Sequence, residues 1–404
     1  MTMPMLMPEV PFGTLFELIR NGLSVRQDKS GRGLPITRIE TISAARVNEL
    51  RVGYAGLAED ACGSFLLQPG DILFSHINSV ANIGNCAVYE GRPAKLVHGM
   101  NLLCLRPDKT RLEPGFARHL IRSSPFRARI LPYVKKAINQ ASISIKNLRA
   151  VPVSVPPLGE QRRIAYVLDR AEALADKRRA ALGELTALRQ ATFVQLCGDP
   201  AKNASGWPAV RLGEVILSAA DGPHESPPYT DDGIPFLSTR HVRPGEILWT
   251  DLKWISPAAA AVLWRRCRPQ RGDILYSKGG TTGIAAAVDT DAQFAIWVHL
   301  ALLKLDRLRV EPLWLEQMLN SPFCHAQAQR LTRGIANRDL GLTRMVQISL
   351  FLPPLAVQRE FARRRAAIDA LQAAQRASLV ELDTLFAALQ ERAFGDRQLP
   401  GFAG

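Results

Sequence analysis

Pro156-Pro157-Leu158-Gly159-Glu160-Gln161-Arg162-Arg163 opens a stretch that closes at Gly198-Asp199. Pro353-Pro354-Leu355-Ala356-Val357-Gln358-Arg359-Glu360 opens a second, which closes at Gly395-Asp396. The offset is 197 residues at both ends, so no net insertion separates the copies. After its opening prolines, each stretch reaches its glycine without another proline. Proline suits a helix entry because its fixed φ is helical and its missing N–H costs nothing there. Glycine suits the exit. A helix of this length spans roughly 55–60 Å at about 1.5 Å per residue. That exceeds the width of a small domain, so each stretch reads as a rigid spacer.

Both stretches carry a narrow apolar stripe at helical spacing. The first holds Ile164, Leu168, Ala171, Leu174, Leu182, Leu185, Leu188 and Leu196; the second holds Phe361, Ile368, Leu371, Leu379, Leu382, Leu385 and Leu389. The other positions are mostly Arg, Glu, Gln and Ala. A stripe this narrow suits a two-stranded coiled coil rather than a helix buried all round. The expected seam is Leu168, Ala171, Leu174, Arg178, Leu182, Leu185 and Leu188 against Ile368, Leu371, Gln375, Leu379, Leu382 and Leu385. Arg178 and Gln375 interrupt the two stripes at the same place. A polar residue in a seam commonly fixes register, whereas an arginine can also snorkel outward; both readings stand.

The segments before the helices repeat too. Val10-Pro11-Phe12-Gly13-Thr14 returns as Val210-Arg211-Leu212-Gly213-Glu214, and Gly33-Leu34-Pro35-Ile36 as Gly233-Ile234-Pro235-Phe236. Gly70-Asp71-Ile72-Leu73-Phe74-Ser75 returns as Gly272-Asp273-Ile274-Leu275-Tyr276-Ser277, and Ser124-Pro125-Phe126 as Ser321-Pro322-Phe323. Collinear matches with small drifts in offset mark an internal duplication with loop indels. The chain reads as α+β: a globe at 1–155, a spacer helix at 156–199, a second globe at 200–352, a second helix at 353–396 and a tail at 397–404. The two helices are expected to pair as an antiparallel coiled coil, which would relate the globes by a pseudo-twofold axis. Two basic globes so held could read two separate sites along one duplex.

Composition fits this. With 404 residues, 47% hydrophobic and 22% charged, the chain is ordinary soluble globular protein. No apolar run reaches the roughly 18–20 residues that span a bilayer. Met1 to Val10 lacks a basic n-region and a cleavage pattern, so no signal peptide is expected. The six cysteines are scattered without a CxxC pair, which fits reduced thiols in a cytoplasm and no structural zinc. The net charge of +14 favours a polyanionic partner, nucleic acid first. Between Arg111 and Arg149 nine basic residues face one acid, Glu113. So lopsided a run predicts an anionic partner, because like charges on one face repel.

The twice-used PPLxEQ-type helix start, each time after a domain with a GDIL-type strand, resembles the specificity (S) subunit of type I restriction–modification systems. The stretch Asp221 to Leu237, DGPHESPPYTDDGIPFL, is similar to the opening of a target recognition domain of that family. The resemblance covers nearly the whole chain. It implies that each globe is a target recognition domain reading one half of a split, asymmetric double-stranded DNA sequence. It also implies that the helices space the halves and hold two methyltransferase (M) subunits, with motor-nuclease (R) subunits joining for cleavage. Two features depart from the pattern. Val357 stands where Glu160 sits in the first copy, and the loop His76–Asn82 lacks the double glycine of Gly279-Gly280.

Such a subunit should carry no active site, metal or cofactor. The sequence holds no GxxxxGK[ST] loop for phosphates and no GxSxG nucleophile turn. It also holds no HExxH or other close pairing among His76, His98, His119, His224, His241, His299 and His325. Ser226-Pro227-Pro228-Tyr229 resembles the motif with which amino-methyltransferases hold a flipped base. It follows a turn, not a strand, and no glycine-rich cofactor turn accompanies it, so a proline-stiffened loop is the preferred reading. Gly279-Gly280-Thr281-Thr282-Gly283 is read as a hairpin loop. Bases should be read by loop residues able to form bidentate pairs, with phosphates held by Arg and Lys. The candidates are His76, Asn78, Ser79, Asn82, Lys135, Lys136, Asn139 and Gln140 in the first globe. In the second they are His224, Tyr229, Arg240, His241, Lys278, Thr281, Thr282, Asn337 and Arg338. A surface or capping role is open for each, helix capping above all for Asn139 and Asn337. Two other classes stay open: a self-contained DNA methyltransferase or nuclease, and a coiled-coil interaction protein without DNA readout.

Overall fold

The computed structural model describes residues 8–138, 140–335 and 337–395. Candidate Asn139 and the tail 397–404 lie outside the described residues. The chain forms two compact units. One runs up to Arg179 and resumes at Ala377; the other is Ala180–Arg376. The unit boundaries therefore fall inside both long helices.

The first unit is built on a four-stranded antiparallel sheet ordered Phe16–Asn21, Leu103–Pro107, Ile72–Phe74, Cys86–Val88. The second has the same order in Ile216–Asp221, Leu300–Leu305, Ile274–Ser277, Ala285–Ala287. The duplication read from sequence is thus a duplication of topology. Each sheet is followed by two helices, Pro114–Arg122 and Ser124–Ile130 in one, Pro322–Leu331 preceded by Pro312–Leu319 in the other. Each globe is closed by its own ends. Glu9–Pro11 pairs with Pro152–Ser154, and Ala209–Arg211 with Ser349–Phe351, just ahead of the long helix. The first core gathers Phe12, Phe74, Phe116 and Phe126, with the Phe12 and Phe126 rings 5.0 Å apart. The second gathers Leu212, Tyr276, Trp314 and Phe361.

The glutamine of the repeated motif explains why each helix starts where it does. Gln161 Nε2 donates to the carbonyls of Pro156 and Arg111, both at 2.8 Å, and its Oε1 accepts from Glu113 N–H at 2.9 Å. Gln358 repeats this with Pro353 (2.8 Å), Arg309 (3.1 Å) and Glu311 N–H (2.9 Å). Both are fully buried. The neighbouring Glu160 makes only a half-exposed pair with Arg163, which is why Val357 can replace it in the second copy.

The long helices, Leu158–Cys197 and Leu355–Phe394, are each 40 residues. In the first unit the start of one meets the end of the other: Ile164 and Leu168 share a core with Phe386 and Leu389, and Arg179 pairs with Asp383 at 2.7 Å. In the second unit the end of one meets the start of the other, with Phe193 against Phe361 at 5.2 Å and Gln372 donating to Thr186 at 3.1 Å. The helices therefore pair antiparallel. Four expected seam leucines face outward instead: Leu174, Leu188, Leu371 and Leu385, at 44 to 53% exposure. Strict alternation of three and four residues from Leu168 runs through Ala171, Ala175, Arg178, Leu182, Leu185, Arg189 and Thr192. From Phe361 it runs through Arg365, Ile368, Gln372, Gln375, Leu379, Leu382, Phe386 and Leu389. All of these are buried or half-buried. Spacing, not leucine content, sets the seam.

Candidate nucleic-acid interface

The GDIL motif anchors the same strand in both globes. Gly70 and Gly272 have φ of +98° and +87°, a region glycine enters freely. Asp71 takes both nitrogens of the Arg106 fork at 2.8 Å and the Gln68 N–H at 2.8 Å. Asp273 takes Lys304 Nζ at 2.6 Å and the Gln270 N–H at 2.7 Å. The far ends of these strands carry the loops singled out above.

In the first globe, His76 follows the anchored strand and is buried, which pushes its pKa down to about 4. Its carbonyl accepts from Ile143 N–H at 3.0 Å. Asn78, Ser79 and Asn82 form a side-chain ladder: Asn78 donates to Ser75 (3.2 Å), Asn82 to Ser79 (3.0 Å) and Asn85 to Asn82 (3.1 Å). A three-stranded sheet then joins this loop to distant residues, with Ala141 opposite Asn78 on one side and Lys136 on the other. It brings Asn78 together with Lys135, Lys136 and Gln140, the last three exposed.

In the second globe the matching loop is the hairpin connection between Ile274–Ser277 and Ala285–Ala287. Gly279 lies so close to His299 that an added Cβ would meet its ring at 2.0 Å. Lys278 is buried, with Nζ 3.3 Å from both Asp221 and Asp339. Asp221 also pairs with Arg266 at 2.5 Å and Asp339 with Arg344 at 3.0 Å. Thr282 is buried against Thr332 at 2.9 Å, while Thr281, Asn337 and Arg338 are exposed. The backbone joins them, since Gly280 N–H donates to the Arg338 carbonyl at 3.0 Å. Thr281, Asn337 and Arg338 thus cluster around a clamp formed by Asp221, Lys278 and Asp339.

The remaining candidates sit elsewhere in the second globe. Tyr229 lies on an edge strand, Tyr229–Thr230, paired to Lys253–Ile255, and Lys253 Nζ is 4.1 Å above its ring. His224 is exposed, 4.0 Å from Asp221. Arg240 is exposed and donates to the Asp251 carbonyl at 2.5 Å. His241 is buried, its pKa lowered by that burial, and accepts from Ser238 N–H at 2.8 Å.

The basic run from Arg111 to Arg149 is not a continuous cationic face. Arg118 pairs with Asp169 (2.6 Å) and Glu172 (2.9 Å), Arg122 with Glu172 (2.7 Å) and Arg129 with Glu9 (2.6 Å). Arg111, Arg127 and Arg149 donate to the carbonyls of Thr14, Ile83 and Ile19. Their partners lie outside the run, so counting charges within it hid them. Lys135, Lys136 and Lys146 remain exposed. His119, Asp169 and Glu172 stand close enough to hold a cation. Arg118 and Arg122 already neutralise the two carboxylates, so the group works as a salt-bridge knot.

Sequence reasoning missed Gln161 and Gln358, although both stood in the quoted motif, and it missed Asp221 and Asp339 as partners of Lys278. Shared position in the repeats could have found the glutamines. Nothing in the sequence pairs residues 57 and 61 positions apart. Among the described residues no helix is long and apolar enough to cross a membrane.

Residues 9–183 match the family described as Type I restriction modification DNA specificity domain. The protein assigned as the type I restriction enzyme MjaX specificity subunit of Methanocaldococcus jannaschii is 30% identical over 387 residues, 88% of this chain and 85% of that one. The EcoKI specificity subunit of Escherichia coli K12 is 29% identical over 167 residues, 41% of this chain and 36% of that one. The crystal structure of a type I S subunit from M. genitalium shares the fold, with a TM-score of 0.63 at 13% identity, covering 98% of this chain and 99% of that one. The duplicated sheet, the paired long helices and the MjaX similarity along most of both chains agree: this chain belongs to the family of type I restriction–modification specificity subunits.

Proposed function

We propose that the chain is the DNA-reading and scaffold subunit of a type I restriction–modification complex, without a catalytic centre of its own. It would read a bipartite, asymmetric target, with residues 1–155 and 200–352 each taking one half. The observation that carries this is one sheet order built twice with unlike loops at the same strand end. His76-Ile77-Asn78-Ser79 stands in one globe and Lys278-Gly279-Gly280-Thr281 in the other. A shared frame with divergent loops suits two readers of different sequences.

The exposed candidates supply the contacts in this reading: Ser79, Asn82, Lys135, Lys136 and Gln140 in one globe, and His224, Tyr229, Arg240, Thr281, Asn337 and Arg338 in the other. The buried ones, His76, His241, Lys278 and Thr282, hold those loops in place. Phosphate contacts from the cations supply much of the affinity and make binding fall steeply with salt. The helices at 156–199 and 353–396 set the spacing of the halves. Their outward leucines, Leu174, Leu188, Leu371 and Leu385, with Tyr166 and Val380, offer an apolar surface to two methyltransferase subunits, and motor-nuclease subunits join that assembly. Lys278→Ala tests separability. It should change recognition of one half-site only; equal weakening at both halves contradicts two independent readers.

A further inference from the structure

Each globe ends a basic hairpin in one isoleucine that stands almost wholly in solvent. Ile138 lies in the turn between Lys135–Ala137 and Gln140–Ser142 and is 94% exposed. Ile335 lies in the turn closed by the Arg333–Asp339 bridge and is 101% exposed. Exposed cations flank both, Lys135 and Lys136 in one, Arg333 and Arg338 in the other. The two tips hold the same place in the duplicated frame. Ile143 N–H donates to the His76 carbonyl at 3.0 Å, and Leu340 N–H to the Lys278 carbonyl at 2.7 Å. Counted back from those anchors, both isoleucines are five residues upstream. Around them the sequence has diverged: Gln140 against Asn337 and Ser142 against Asp339. The isoleucine has not.

A β-branched aliphatic side chain wholly in water contributes no packing to its own globe, so its reason lies in a partner. The surrounding cations call for an anionic partner that presents an apolar point. The DNA major groove admits a two-stranded ribbon between phosphate walls, and the apolar group it offers at a base edge is the C5-methyl of thymine. We propose that Ile138 and Ile335 each read a thymine methyl in the half-site of their own globe. This rests on the DNA-reading function proposed above. It deepens that function by assigning two apolar specificity contacts where polar ones alone were expected.

The test uses the full chain with its methyltransferase partners and a duplex carrying its mapped methylation target. Each thymine is replaced in turn by uracil, which deletes the methyl and nothing else. One replacement in each half should weaken binding about fourfold, the worth of roughly one buried methyl. Ile138→Ala should bind thymine and uracil duplexes alike at one half, and Ile335→Ala at the other. Both side chains are exposed, so these variants keep the fold. Uracil that costs nothing at every position, or a cost in either half that neither variant removes, overturns the proposal. Failure of the unsubstituted complex to distinguish the target from a scrambled duplex overturns DNA reading itself, and this proposal with it. Target discrimination with no methyl effect overturns this proposal alone.

Discussion

Gln358→Ala is the sharpest test of why each long helix is joined to its globe. The side chain is fully buried and satisfies three backbone groups: the carbonyls of Pro353 and Arg309 and the N–H of Glu311. Alanine removes three hydrogen bonds and leaves a donor and two acceptors buried without partners. At about 1–1.5 kcal/mol for each, and more where water cannot enter, the loss is about 3–5 kcal/mol. A chain of two compact units does not unfold in one step, so a single melting curve is the wrong assay. Amide hydrogen exchange read by mass spectrometry localises the opening. The segments Arg309–Glu311 and Leu355–Arg376 should exchange roughly a hundred- to several-thousandfold faster, since about 1.4 kcal/mol is tenfold. Gln161→Ala should do the same in the first unit, through Arg111, Glu113 and Pro156. Glu160→Ala is the control, because its exposed pair with Arg163 is worth about 0–1 kcal/mol. A loss below about 1 kcal/mol for Gln358→Ala, or an equal loss for Glu160→Ala, refutes the glutamine as the latch.

Burial holds His76 and His98 down to about 4, against about 6.5 unfolded. The unfolded chain therefore binds more protons between these values. The first unit should lose on the order of 3 kcal/mol per histidine as pH falls from about 6.5 to 4, then level off, as read by the exchange of that unit's own amides, corrected for intrinsic rate, at each pH. All six cysteines are buried, and burial pushes the thiols of Cys86, Cys104, Cys197, Cys267 and Cys324 up to about 12. A thiol reagent should label none of them until urea opens the chain. Arg365→Ala should cost about 3–5 kcal/mol in the second unit because it strands Glu316, its buried partner at 2.5 Å. Adding Glu316→Gln should recover much of that in the same exchange assay. Leu185→Pro breaks the first helix within the seam and should abolish methylation at both half-sites together, whereas methylation retained at either half contradicts helices that space the readers.

How far the sequence could be read depended on whether a signal was local or repeated. The helices, the internal duplication with its GDIL strand and the hairpin after Ser277 followed from proline and glycine placement, periodicity and collinear repeats; the strand order of the sheets did not. The seam was half legible. Leu168, Ala171 and Ile368 stand in it, but Leu174, Leu188, Leu371 and Leu385 turn outward while Ala175, Arg189, Gln372 and Phe386 turn in. Residue type misled where strict spacing would not have. The basic run misled for a different reason. Charge counted along a segment cannot see Asp169, Glu172 or Glu9, which reach it only after folding. Long-range pairing also set the fate of Lys278. As a loop cation it reads as a DNA contact, yet it lies buried between Asp221 and Asp339. Exposure singled out Ile138 and Ile335, which no search for polar, base-reading residues would select.

Single-molecule sequencing of host DNA, with this gene present and then deleted, tests the central claim most directly. The account predicts that deletion erases one methylated motif made of two unlike specific blocks separated by a fixed non-specific spacer. Loss of a single continuous motif would contradict two spaced readers, and an unchanged methylation pattern in a host whose methyltransferase partner is active would contradict the specificity role itself.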